Sequence, residues 1–134
     1  YGAHRVLHSF PTRRSSDLLE GADRGTVYVR VDYTDKSGRV YHNNYCLDKQ
    51  KNMNYPKVDL QTEVRSIEGG YEVTVSTDKF ARAVCLSVAD NESVYSDNYF
   101  DVQPKSSVQV QVRTRLSAEA FNAALRLTCL NNEF

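Results

Sequence analysis

The sequence predicts an all-β chain: an antiparallel immunoglobulin-like β-sandwich preceded by a β-hairpin from an incomplete neighbouring sandwich. Three observations predict it. Val and Tyr alternate with polar residues at a period of two through most of the chain. Clusters of Gly, Pro, Asn, Asp and Ser separate these runs at short intervals. Only one stretch, 118–124, carries a helix signal. With 134 residues and 40% hydrophobic content, the chain can form a packed core for one domain, or one domain and part of another.

The elements follow in order. Val27, Val29, Val31 and Tyr33 alternate with Tyr28, Arg30 and Asp32, the pattern of a half-buried strand. Thr34 to Gly38 supplies turn residues, and Arg39 to Leu47 returns as a Tyr-rich strand. The polar run Lys49 to Pro56 reads as a linker, which divides the genuine chain into 19–55 and 56–134. Beyond it, Val58, Leu60, Thr62 and Val64 form a row, and Ser66 to Gly70 a turn. Tyr71, Val73 and Val75 form the next inward row, then Val84, Leu86 and Val88. Tyr95 to Val102 is one strand stopped by Pro104, and Val108, Val110 and Val112 make another. Ser117 can cap a short helix over 118–124, where Glu119 favours the positive end. Leu125, Leu127 and Cys129 close with a last strand. Residues 56–134 thus hold about six or seven strands, enough for one sandwich. The hairpin at 25–47 is too small to stand alone, so it reads as the last hairpin of a preceding sandwich.

Residues 1–18 stand apart. The run His8-Ser9-Phe10-Pro11-Thr12-Arg13-Arg14-Ser15-Ser16-Asp17-Leu18 matches one reading frame of a DNA-sequencing adapter, and Tyr1 to Leu7 continues it except at Ala3 and Val6. This segment reads as non-native and disordered, and the gene as cut at its 5′ side. Setting aside Arg5, Arg13, Arg14 and Asp17 leaves 14 basic and 16 acidic residues. Such a balance offers no basic field for a nucleic-acid partner. No apolar run approaches the roughly 20 residues of a membrane helix.

Candidate chemistry is sparse. Glu92 and Glu133 occur in Asn-Glu dipeptides, but one sits in a polar hairpin tip and the other is penultimate, so neither is read as catalytic. His42 is the one histidine beyond residue 18, placed on a hairpin as an exposed or interface side chain. Cys46, Cys85 and Cys129 fall on different strands; Cys129 reads as core, and a Cys85–Cys129 bridge is left open. Asp90-Asn91-Glu92 lacks the ligand count of a calcium loop, and Gly69-Gly70 is a turn rather than a phosphate cradle. No metal or cofactor is expected. Tyr28, Tyr41, Tyr45 and Tyr71 are candidates for stacking on a sugar, although packing or domain contact is the ordinary use of strand tyrosines. Ser96-Asp97-Asn98-Tyr99-Phe100-Asp101 is the informative stretch. Asp97 and Asn98 suit turn amides at a strand entry, with Tyr99 and Phe100 filling the core behind them.

Val75 to Ala81, Val84 to Val88 and Ser96 to Pro104 together resemble the carboxy-terminal immunoglobulin-like domain of β-mannosidases, family 2 glycoside hydrolases. The hairpin and linker resemble the end of that family's penultimate sandwich, so the likeness spans about residues 22–134. One departure is Lys105, which stands after Pro104 where the family pattern has Gly. The resemblance implies an accessory, inactive fragment whose partners are other domains of the same chain, a catalytic barrel and the preceding sandwich. The parent would be a retaining exo-glycosidase removing terminal β-linked mannose with two glutamates on that barrel and no metal. No catalytic or substrate-binding residue transfers to a position here. The parent's compartment is left open among periplasm, exterior and lysosome. Two further readings stand beside this one: a carbohydrate-binding or adhesion module, and the equivalent tail of another family 2 enzyme.

Overall fold

The computed structural model describes residues 19–133, and the adapter-like run 1–18 lies outside them. The chain divides into two compact units between Asn54 and Tyr55.

In the first unit, Asp23 caps a 3-10 turn at Arg24–Thr26 by accepting from the Gly25 amide at 2.9 Å. Strands β1 (Tyr28–Thr34) and β2 (Val40–Cys46) then pair antiparallel, from Tyr28 opposite Cys46 to Thr34 opposite Val40. Asp35 organises the turn between them. Its carboxylate accepts from the Ser37 hydroxyl at 2.6 Å and from the amides of Ser37 and Arg39, which holds its pKa below the ordinary value. Gly38 closes the turn at φ +84°. The expected half-burial of the Val row is corrected here: Val29, Val31 and Tyr33 are 39%, 48% and 63% exposed. Alternation selected one face, but this two-stranded sheet has no second layer over it among the described residues of its unit.

The second unit is an all-β immunoglobulin-like sandwich. One sheet has the order β3-β4-β8-β6, from β3 (Gln61–Ile67), β4 (Gly70–Thr77), β6 (Val94–Tyr95) and β8 (Ser106–Arg113). The other is β7-β5-β9, from β5 (Ala81–Ser87), β7 (Phe100–Val102) and β9 (Arg126–Thr128). All strand neighbours are antiparallel. Strand β4 is paired on both sides and alternates without a break, with Tyr71, Val73, Val75 and Thr77 buried. Val110 and Val112 of β8 oppose Val73 and Tyr71 and are fully buried. Ala81, Val84, Leu86 and Val102 supply the facing layer. Gly70 is required by close approach, since a Cβ there would lie 1.9 Å from the Val112 carbonyl oxygen.

Helix α1 (Ala118–Ala124) starts at Ser117, whose Oγ accepts from the Ala120 amide at 3.2 Å. Its apolar contact is Phe121, stacked on Tyr71 with ring centroids 4.4 Å apart, while the Tyr71 hydroxyl donates to the Leu116 carbonyl at 2.8 Å. Tyr71 is therefore a core residue and is withdrawn from the sugar-facing set.

Two strand expectations change. The single strand over 95–102 is two short ones, β6 and β7, in different sheets. The closing strand stops at Thr128, and buried Cys129 leads into a short helix, α2 (Leu130–Glu133). In both places side chains, invisible to periodicity, take over hydrogen bonds that a longer strand would have made.

Candidate functional site

The residues 96–101 form the passage between the two sheets. Ser96 leaves the first. Its amide donates to the Gln111 carbonyl at 2.9 Å, but the Gln111 amide donates to the Ser96 hydroxyl at 2.9 Å instead of to a backbone carbonyl. The hydroxyl thus finishes the β6–β8 ladder and frees the backbone to turn. Asp97 then accepts from the Asn98 amide at 2.8 Å.

Asn98 enters the second sheet through its side chain. Its Oδ1 accepts from the Leu86 amide at 2.7 Å and its Nδ2 donates to the Leu86 carbonyl at 2.8 Å. A carboxamide has the donor and acceptor of a peptide group, so it stands in for the missing rung two residues before Phe100 pairs with Val84. Tyr99 lies between them at φ +57°, which carries its ring outward. The expectation that Tyr99 fills the core is corrected: it is 73% exposed, while Phe100 packs against the core alone. Hydrogen bonding to Cys85 is the largest cause of a raised Tyr99 pKa.

Asp101 completes the segment by holding a bulge in β5. Between the pairs Ala81–Val102 and Val84–Phe100, β5 carries one residue more than β7. Ala83 takes it up at φ +52°, and Asp101 accepts from the Ala83 amide at 3.0 Å and from the Arg82 guanidinium. The bulge lets both Ala81 and Val84 point inward.

A second polar cluster escaped the sequence. Asn131, in α2, is 98% buried by its surroundings and bonds in three directions. Its Oδ1 accepts from the Arg82 amide at 2.7 Å; its Nδ2 donates to the carbonyls of Phe80 and Pro56, each at 2.8 Å. Asn132 adds both side-chain bonds to the Val58 backbone, at 3.1 and 3.0 Å. These side chains clasp the chain's entry into the sandwich to its last helical turn. The available signal was weak: two asparagines after an apolar Leu-Thr-Cys-Leu run.

The other candidates are dispersed. Glu92 and Glu133 are exposed. Asp59 and Asp78 share a shallow cleft of about 480 Å³ with Lys105, yet both are exposed, so the cleft encloses no carboxylate pair. Lys105 occupies the second central position of a turn closed by the Ser106 amide donating to Gln103, and its φ is +55°, a conformation suited to Gly. His42 is exposed on β2, opposite Asp32. Cys85 and Cys129 are free thiols and form no bridge, and Cys46 closes β2; burial pushes the Cys129 pKa up, and Cys85 alternates with inward Val84 and Leu86. Among the described residues, no three His, Cys, Asp or Glu side chains are grouped to hold a metal ion. Tyr41 and Tyr45 share one hairpin face and are exposed, whereas Tyr28 lies on the other.

A family model of the Ig-fold domain type, Ig_mannosidase, matches residues 54–133, which include the whole sandwich. No curated protein matches the chain.

Proposed function

Because the chain belongs to the mannosidase Ig-fold domain family, we propose that it is an accessory, non-catalytic part of a β-mannosidase. The parent enzyme hydrolyses terminal β-D-mannose residues with retention, on a barrel outside this chain. The sandwich serves that barrel as a rigid neighbour, and the hairpin belongs to the preceding sandwich. The carrying observation is the coincidence of the family match with a self-contained sandwich. Its buried polar groups are spent on its own backbone: Asn98 on Leu86, Asp101 on the bulge, and Asn131 on Phe80 and Pro56.

The direct test incubates purified 19–134 with an aryl β-mannoside and follows release of the phenol. No turnover above a denatured control is expected. Turnover abolished by Glu92→Gln would defeat the proposal.

A second reading, a carbohydrate-binding module, is favoured by one observation, the three exposed tyrosines Tyr33, Tyr41 and Tyr45 on a single hairpin face. Titration with mannobiose while following tyrosine fluorescence separates the readings. Accessory packing gives no saturable change; sugar binding gives one that Tyr45→Ala weakens.

A further inference from the structure

The sandwich leaves one long edge open. In its four-stranded sheet β3 is terminal, with β4 on one side and no strand on the other among the described residues. The sandwich's remaining edges are short, since β6 has two residues and β7 and β9 three each. Strand β3 has seven, pairs with β4 in unbroken register, and contains no Pro, Lys or bulge. Long edges are normally guarded by such devices, because their outer amides and carbonyls template a further strand. The register tells which groups these are. Gln111 spends its backbone on Ser96, and the Thr114 amide donates to the Gly69 carbonyl at 3.2 Å, so Val110 and Val112 turn toward β4. Hydrogen-bonded and non-bonded pairs alternate along an antiparallel ladder. Glu72 and Thr74 therefore bond toward Arg65 and Glu63, and the amides and carbonyls of Thr62, Val64 and Ser66 face outward.

We propose that this edge joins a second copy of the chain, β3 to antiparallel β3, about a two-fold axis through Val64. The proposal is independent of the mannosidase reading. Val64 is one of the outward-bonding residues, so on this axis Val64 with Val64, and Thr62 with Ser66, exchange both backbone hydrogen bonds. Glu63 then lies opposite the second copy's Arg65, and Arg65 opposite its Glu63, two oppositely charged cross-strand pairs. The Arg65 guanidinium already reaches Glu72 at 2.8 Å, yet its side chain is 73% exposed and retains donors for a second carboxylate. Half-buried Val64 packs against the core, and at the axis it meets its own copy, extending that apolar layer across the join. Charge excludes the neighbouring registers. Moving the axis by one residue sets Glu63 against Glu63, or Arg65 against Arg65. An edge guarded by one sign of charge repels its copies; this one carries one of each, spaced to match. At seven residues a side the join falls below the roughly 1,200 Å² of a standard interface, so the dimer is transient.

Sedimentation velocity and amide hydrogen exchange on the 134-residue chain test this. The weight-average mass should rise from monomer toward dimer between about 10 μM and about 1 mM, the range of a transient interface. Over the same range, exchange at Thr62, Val64 and Ser66 should slow in proportion to the dimer formed, while the hairpin amides keep their rates. Glu63→Arg and Arg65→Glu each set like charges across the axis and should weaken association by about tenfold or more. An equimolar mixture of the two variants restores opposite charges at both positions, so the rise in mass should return. A chain that stays monomeric to about 1 mM overturns the proposal. So does a dimer that Glu63→Arg leaves intact, as one built on the exposed hairpin tyrosines would be. So does a mixture that fails to associate although both variants keep the urea midpoint of the unchanged chain. Exchange decides even where a variant fails to fold: a dimer that leaves those three amides unslowed defeats the proposal.

Discussion

Strands β1 and β4 carry nearly the same apolar row. Val29, Val31 and Tyr33 in one correspond to Tyr71, Val73 and Val75 in the other, each alternating with polar residues. In β4 the row is buried, with the two valines fully so; in β1 it is open. The difference lies in the company each strand keeps. β4 is flanked by β3 and β8 and faces β5 and β7 across the core, whereas β1 has β2 alone. Alternation in sequence therefore encodes a face, and only the fold around it decides whether that face is energetic.

The largest test of this contrast substitutes one aromatic in each unit. Phe121→Ala removes a fully buried ring stacked on Tyr71 and is expected to cost about 3–5 kcal/mol in urea unfolding. Tyr33→Ala, on the open face, should change the same transition by no more than about 0.5 kcal/mol. Comparable losses would dissolve the distinction between the two units.

Next in size are the side chains that replace ladder rungs. Asn131→Ala strands the Arg82 amide and the Phe80 carbonyl in the interior, with an expected cost of about 2–3 kcal/mol. Asn98→Asp retains the acceptor for the Leu86 amide but sets a carboxylate against the Leu86 carbonyl, and should destabilise by about 2 kcal/mol or more. Hydrogen exchange at Leu86 should accelerate in Asn98→Asp, and exchange in the hairpin amides should not change.

A gain of stability is expected from relieving backbone strain. Lys105→Gly and Ala83→Gly both place glycine at a positive φ and should each stabilise the sandwich by about 1 kcal/mol, read from the urea midpoint. The smallest effect is on acid stability. Asp90 accepts hydrogen bonds from the Ser93 hydroxyl and amide, which hold its pKa below the ordinary carboxylate value. Its folded carboxylate therefore contributes stability at and above the ordinary Asp range, lost as pH falls through the depressed value. Asp90→Asn should shallow the acid limb of the sandwich transition, and Asp35→Asn should alter only the hairpin. Unfolding midpoints between pH 6 and pH 2 check both.

Much of the sandwich was legible. Valines spaced by two fixed β4, β5 and β8, and Ser117 with its following alanines fixed α1, because burial and capping leave local marks. The passage at 96–101 was legible as a special stretch, but its mechanism was not. Nothing local tells that Ser96 ends one ladder, or that Asn98 reaches a backbone twelve residues away. Tyr99 was misplaced for the same reason: hydrophobicity assigned it inward, while a positive φ turned it out. Asn131 resisted reading because its three partners come from segments about 50 and 75 residues distant. The hairpin's polarity was correctly patterned, but a pattern cannot report whether a second layer is present.

The Asn131–Asn132 clasp has an architectural consequence. By fastening Pro56 and Val58 to the last helical turn, it brings the segment that enters the sandwich and the helix that closes it to a single doorway. A module with one doorway can be grafted into a surface loop of an unrelated host without stretching either partner. Tension applied between its two ends would meet three asparagine side-chain hydrogen bonds at that threshold before any valine of the interior parted.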